Sequence, residues 1–170
     1  MKKISTLFFL LLVTVSMAQI STTRMNDLNV RAKLSEIETI LGEKLELSKK
    51  ENDWLYTTTV NHKGAELHLS FMDYHDELEG TVFQLFLIST NSNSLKTLSN
   101  LGVGSSLEDL WKAYKHYNIS IWNEWDENLQ KFTPEERVFQ ISDYDAETAL
   151  FFHIKNNRVY KISVSFFEGC

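Results

Sequence analysis

The sequence predicts an α+β protein made of tandem helix-plus-antiparallel-sheet units, with the helices packed on one sheet face. Three observations lead there. Two amphipathic helical stripes occur, one near residue 34 and one near residue 107. Each is followed by short runs rich in β-branched and aromatic residues, broken by turn-forming segments. Between the two series lies the polar stretch "NSNS" at 91–94, a linker composition. The predicted division is a leader at 1–18, a first unit at 19–90, a linker at 91–100 and a second unit at 101–170.

The leader has three parts. Lys2 and Lys3 form a positive start, Leu7 to Val15 an apolar run, and Ser16-Met17-Ala18 a small-residue cleavage site. This is the pattern of a bacterial secretory signal peptide. It predicts an exported, periplasmic or secreted chain, soluble from Gln19 onwards. The apolar run is shorter than the roughly 20 residues a membrane-spanning helix needs. No later segment reads as a membrane span, and no cysteine follows the apolar run to take a lipid.

In the first unit, Val30, Leu34, Ile37 and Leu41 fall on one helical stripe, with Gly42 placed to end the helix. Strands are predicted at 54–60, 65–72 and 81–89. "NHKG" at 61–64 reads as a hairpin turn and "DYHDELEG" at 73–80 as a longer one. In the second unit the stripe is Leu107, Leu110, Trp111 and Tyr114. Ser105 with Glu108 forms a capping box, and Glu108 and Asp109 place negative charge in the first helical turn. Strands follow at 119–122, 137–142, 149–154 and 158–166, with a polar excursion through Pro134 after the first. "KNNR" suits a tight hairpin between the last two, because asparagine tolerates positive φ. "LSEIETIL" at 34–41 matches "LEDLWKAY" at 107–114 in its apolar and acidic positions. Val82 and Phe83 match Val159 and Tyr160. These matches predict an internal repeat.

Residues 19–170 suffice for one ordinary core or two small packed units. A hydrophobic content of 43% with 12% aromatics predicts a folded chain. Without Lys2 and Lys3 the formal charge of −6 becomes −8. With no basic stripe, nucleic acid is not an expected partner. A protein partner is expected, and the charge permits a basic one. Cys170 is the single cysteine, so no disulfide forms within the chain. It is read as a free terminal thiol, with pairing between chains left open along with the oligomeric state.

The most motif-like stretch, "GVGSSLEDLWKAY" at 102–114, lacks the third glycine of a dinucleotide fingerprint and the Gly-Lys-Ser/Thr of a phosphate loop. Nor has it the spacing of a nucleophile turn. It does resemble the helix start of exported bacterial proteins of the β-lactamase-inhibitor-like class, which includes small outer-membrane assembly lipoproteins. That resemblance implies helices on one face of an antiparallel sheet, two units in tandem, and a concave sheet surface that binds a protein. The chain lacks the inhibitor's disulfides and the lipoproteins' lipid-attachment cysteine.

Neither a cofactor nor a metal is expected. Asp73, His75 and Asp76 crowd together but lack zinc-site spacing and read as a solvated acidic loop. His68 and His153 read as satisfied sheet histidines. No serine, histidine and acid group has recognisable local context, so the chain is not read as an enzyme. The candidate partner-binding residues are Tyr117, Trp122, Glu124, Trp125, Asp126 and Phe132. Aromatic residues dominate binding hot spots, and acidic neighbours steer a basic partner. Trp122 sits in an apolar run that favours the core, whereas Trp125 lies in a charged run and favours the surface. The predicted function is an exported protein-binding module of inhibitor, immunity or scaffold type, docking a sheet face non-covalently. The alternative is a glycan- or small-ligand-binding protein that stacks a sugar on Trp122 and Trp125. A hydrolase is the remaining option.

Overall fold

In the computed structural model, the residues described are 19–49, 51, 53–126 and 130–167. The predicted leader and Cys170 lie outside them. A small hairpin, β1 (Arg24–Met25) and β2 (Leu28–Asn29), precedes α1 (Leu34–Leu41). Then come β3 (Ser48–Lys49), β4 (Tyr56–His62), β5 (Ala65–Asp76) and β6 (Gly80–Thr90). After α2 (Leu107–Tyr114) the chain continues as β7 (Ile119–Asp126), β8 (Lys131–Asp143), β9 (Thr148–Lys155) and β10 (Arg158–Phe166).

β3 to β10 form one antiparallel sheet in the order β3-β4-β5-β6-β10-β9-β8-β7. This corrects the predicted fold class. The protein is mostly β, with 54% strand against 11% helix, and is not a tandem of α+β units. Two causes are visible. The helices are only eight residues each, and α1 is shorter than its stripe because Arg31 takes a φ of 71° and bars the helix from starting at Val30. The strands are longer than the hydrophobic pattern indicated: β5 runs on to Asp76, and β7 and β8 extend through the polar excursion. The sheet is also continuous. β6 pairs antiparallel with β10, with Leu87 opposite Ser165 and Ser89 opposite Ser163.

Tight turns carry the meander. Lys63 and Gly64 have φ of 49° and 78°, and Asn156 and Asn157 have 49° and 62°. Both pairs have the positive φ of the two-residue turns that match strand twist.

One face of the sheet is apolar and carries both helices. Leu69 and Phe71 of β5, Leu85 and Ile88 of β6, Phe139 of β8, Phe152 of β9 and Ile162 of β10 are buried there with Ile37 and Leu110 of the helices. Tyr114 of α2 stacks on Phe152, with centroids 6.1 Å apart and planes at 29°. Its hydroxyl donates to Thr97 Oγ1 at 2.8 Å, so its one polar atom is satisfied in the core.

The start of α2 differs by one residue from the predicted capping box. Ser106, not Ser105, is the N-cap: its Oγ accepts from the Asp109 N–H at 3.1 Å, and the Asp109 carboxylate accepts from the Ser106 N–H at 3.0 Å. Ser105 Oγ instead accepts from the Gly102 N–H at 3.0 Å, tying the turn before the helix. Gly102 is required by close approach, since a Cβ there would lie 2.5 Å from the Leu95 carbonyl oxygen.

Candidate functional site

Strand alternation puts every second residue on the face away from the helices. Across β7, β8, β9 and β10 the register sets Trp122, Val138, His153 and Lys161 in one row. The next row runs through seven strands as Ser120, Gln140, Phe151, Ser163, Ser89, His68 and Thr59. Phe151 and His153 face this way because Phe152 and Ile154 face the core.

A polar network occupies this face. His153 Nδ1 lies 3.2 Å from Glu124 Oε1, and its Nε2 lies 3.0 Å from Ser163 Oγ. The Tyr160 hydroxyl donates to Glu124 Oε2 at 3.3 Å. A carboxylate only accepts, so Nδ1 of the neutral ring carries the proton and Nε2 accepts from the Ser163 hydroxyl. Glu124 belongs to edge strand β7, yet it meets side chains from β9 and β10 across the intervening β8. First and fourth strands of a flat sheet are about 14 Å apart. The long side chains of Glu124 and Tyr160, lying along the face toward each other, cover that span with the 3.3 Å bond between them. The register breaks between Asn123 and Trp125, and Glu124 sits at that break.

Burial and the Lys161 ammonium hold the His153 pKa below its usual 6.5, against the opposing pull of Glu124. Burial and the Glu124 charge push the Tyr160 hydroxyl up to about 12. The unfolded chain thus takes up a proton at His153 at a higher pH than the folded one. The stability tied to this depressed pKa is complete above pH 6.5 and is lost as pH falls from there through the folded value. We expect the melting temperature to drop more between pH 8 and pH 5 in the wild type than in His153→Gln. Equal drops would show that His153 is not the group responsible.

Ser163, His153 and Glu124 are connected as in a nucleophile, base and orienting acid. Their surroundings do not complete such a site. Ser163 is 3% exposed, and it lies mid-strand between Phe151 and Ser89, where its N–H belongs to the ladder rather than to an oxyanion. What the arrangement does chemically is brace: four satisfied polar groups tie the β7–β8 edge to β9 and β10 on the face away from the helices.

The structure brings five of the six predicted residues to that edge, with Asp126 at its end. Trp122, Glu124, Trp125 and Phe132 lie on the β7–β8 hairpin, and Trp122 packs edge-on to Phe151 at 6.5 Å. Trp125 meets Phe132 edge-on at 5.1 Å. Trp122, Trp125 and Phe132 are 40%, 47% and 60% exposed. Trp122 is therefore a surface residue, not the core residue its apolar neighbours indicated. Asp126 ends β7, and its side chain lies outside the description.

Tyr117 does not join this group. It packs on Tyr114, on the helix side of the sheet. There it lines a cavity of about 480 Å³ with Leu98, Asp143, Tyr144 and Asp145. Sequence reading missed His153, Tyr160 and Ser163 as members of the site. The available signal was the alternation in "ALFFHI" and "RVYKISVSF", which sets His153 and Ser163 opposite the core positions. Among known families, curated proteins and solved structures, none matches this chain.

Proposed function

We propose that this chain is an exported protein-binding module that docks a partner non-covalently at the β7–β8 edge of the sheet face away from the helices, as an inhibitor, immunity or scaffold protein does. One observation carries the reading: Trp122, Trp125 and Phe132 are all substantially exposed on one hairpin, and that hairpin is braced from beneath by Glu124, His153 and Tyr160. Pre-organised aromatic side chains give binding area at small entropic cost. The acidic character of the chain, −6 overall, favours a basic partner. Export rests on Lys2, Lys3 and the apolar run that follows them. The resemblance of 102–114 to the β-lactamase-inhibitor-like class agrees with a sheet face that binds protein. A small-ligand reading draws on a different place, the cavity beside Tyr117 and Tyr144, whose volume falls in the range of about 300–1,000 Å³ usual for ligand pockets.

The test is capture from the native envelope and secreted fractions, with a Trp122→Ala/Trp125→Ala double variant in parallel. Circular dichroism confirms that the variant is folded. A protein kept by the wild type and lost by the folded variant supports docking at this edge. Equal retention moves the site elsewhere. No retention at all removes the protein-binding reading and sends the search to glycans.

A further inference from the structure

The two ends of the eight-stranded sheet are unequal. β3 closes one end with only two residues, Ser48 and Lys49. β7 closes the other with eight and, among the described residues, has one neighbour, β8. Its ladder phase follows from one bond, the Ser142 N–H donating to the Asn118 carbonyl at 2.8 Å. Antiparallel residues alternate between bonding the neighbour and facing away from it. Asn118, Ser120 and Trp122 therefore bond toward β8. The backbone N–H and C=O groups of Ile119, Ile121 and Asn123 point outward from the sheet.

Beside this free edge, on the helix side, lies a groove of about 320 Å³ lined by Leu107, Glu108 and Trp111 of α2, Ile121 of β7, and Asn157. Trp111 and Ile121 are 51% and 40% exposed. On the opposite face the same strand presents Trp122. The edge thus offers main-chain donors and acceptors, an apolar slot on one side and an indole on the other. Natural edges discourage strand addition with lysine, proline or a bulge; β7 contains neither lysine nor proline, and its register break lies beyond Asn123, so Ile119 to Asn123 pair regularly with β8. Its charged residues are Glu124 and Asp126, with Glu108 on the groove wall.

We infer that β7 receives an extended segment of a partner protein as a ninth antiparallel or parallel strand, with apolar residues alternating into the Trp111–Ile121 groove and basic residues flanking them. This rests on the protein-docking reading and specifies its mode. Main-chain bonds give such a complex its affinity, and the side pocket gives it selectivity. Charge chooses the occupant. A second copy of this chain would bring a like net charge of −6 and the same acidic strand to the edge, whereas a basic segment complements it.

The probe is a synthetic peptide of roughly nine residues, alternating valine with lysine. Its counterpart carries glutamate in place of lysine. Protein purified from expression of the full chain is followed by residue-resolved amide exchange. The expected result is that the basic peptide slows exchange at Ile119, Ile121 and Asn123 by about tenfold or more, and that the acidic peptide does not. Ile121→Pro removes an outward N–H without removing a ladder bond, which an edge strand tolerates. It should weaken the basic peptide by about tenfold, as should Trp111→Ala, while Ile121→Val binds like the wild type.

The inference is overturned if neither peptide protects these amides at millimolar concentration, if the acidic peptide protects them equally, or if they become protected with rising protein concentration alone, which would make a second copy the occupant. An envelope protein lost by the Trp122→Ala/Trp125→Ala variant but held fully by Ile121→Pro also removes strand addition, and leaves docking on the face away from the helices standing.

Discussion

Phe152→Ala is expected to lower the unfolding free energy by about 3–5 kcal/mol, the usual cost of deleting a buried phenyl ring. Phe152 is fully buried. Its ring stacks on Tyr114 and meets Phe139 edge-on at 6.3 Å. It is thus the piece through which α2 grips the sheet. The cavity left behind would be bounded by β8, β9 and α2, elements too constrained by ladder bonds to collapse inward. Urea denaturation measures the loss, and Phe151→Ala is the control. Phe151 is the neighbouring residue on β9 but belongs to the face away from the helices and is only partly buried, so its truncation should cost clearly less. Similar losses for the two would reverse the assignment of the faces.

Glu124→Ala is the second large effect. It removes the acceptor of two donors at once, the His153 Nδ1–H and the Tyr160 hydroxyl. A fully buried donor left unpaired costs about 1–3 kcal/mol, and these two are only partly buried. Glu124 is partly exposed, so water offsets some of this, and a net loss of about 2 kcal/mol is expected. Two titrations distinguish a broken network from a general weakening. The Tyr160 pKa should fall from about 12 toward its ordinary value of 10.0, read by ultraviolet absorbance, because the carboxylate charge no longer opposes phenolate formation. The His153 pKa should fall further, because Glu124 is what favours its charged form. A destabilised variant with an unchanged Tyr160 titration would contradict the network.

Much of the meander is visible in the residue pattern. β10 occupies 158–166 as its alternation predicts, and the Asn156–Asn157 turn has the positive φ expected of asparagine. α2 begins at Leu107 as the stripe requires. Where the reading failed, solvent had erased the pattern. The far ends of β7 and β8 carry Asn123, Glu124, Asp126, Glu135 and Glu136, and an edge hairpin with water on both faces imposes no apolar alternation. The end of β5, with Asp73, His75 and Asp76, was hidden in the same way. Val30 continued the α1 stripe numerically, but backbone conformation at Arg31 lay beyond hydrophobic periodicity. Overcounting helix and undercounting strand produced the α+β assignment.

Of the candidate site, the tryptophans were legible because indoles in a charged run are hard to bury. The His153 hub was not, because it joins Glu124, Tyr160 and Ser163 from three strands, and long-range pairing is not written in local sequence. Tyr117 was misgrouped for the opposite reason. It is close to Trp122 along the chain, but it packs on Tyr114 on the helix side while Trp122 packs on Phe151 on the other.

The pairing of β6 with β10 sets the order in which the molecule can assemble. Every other contact in the large sheet joins strands consecutive along the chain, and such neighbours meet after closing only short loops. The β6–β10 seam alone must bring together residues from the two ends of a long excursion, Ser89 and Ser163 among them. The four strands on each side close as successive hairpins, each on a scale of about 1–10 μs, and docking of the two ribbons along this line is the step expected to be slowest. Substitutions that weaken the seam would then slow the last step of folding while leaving the early hairpins intact, and a chain stalled there would expose the unpaired edges of both central strands.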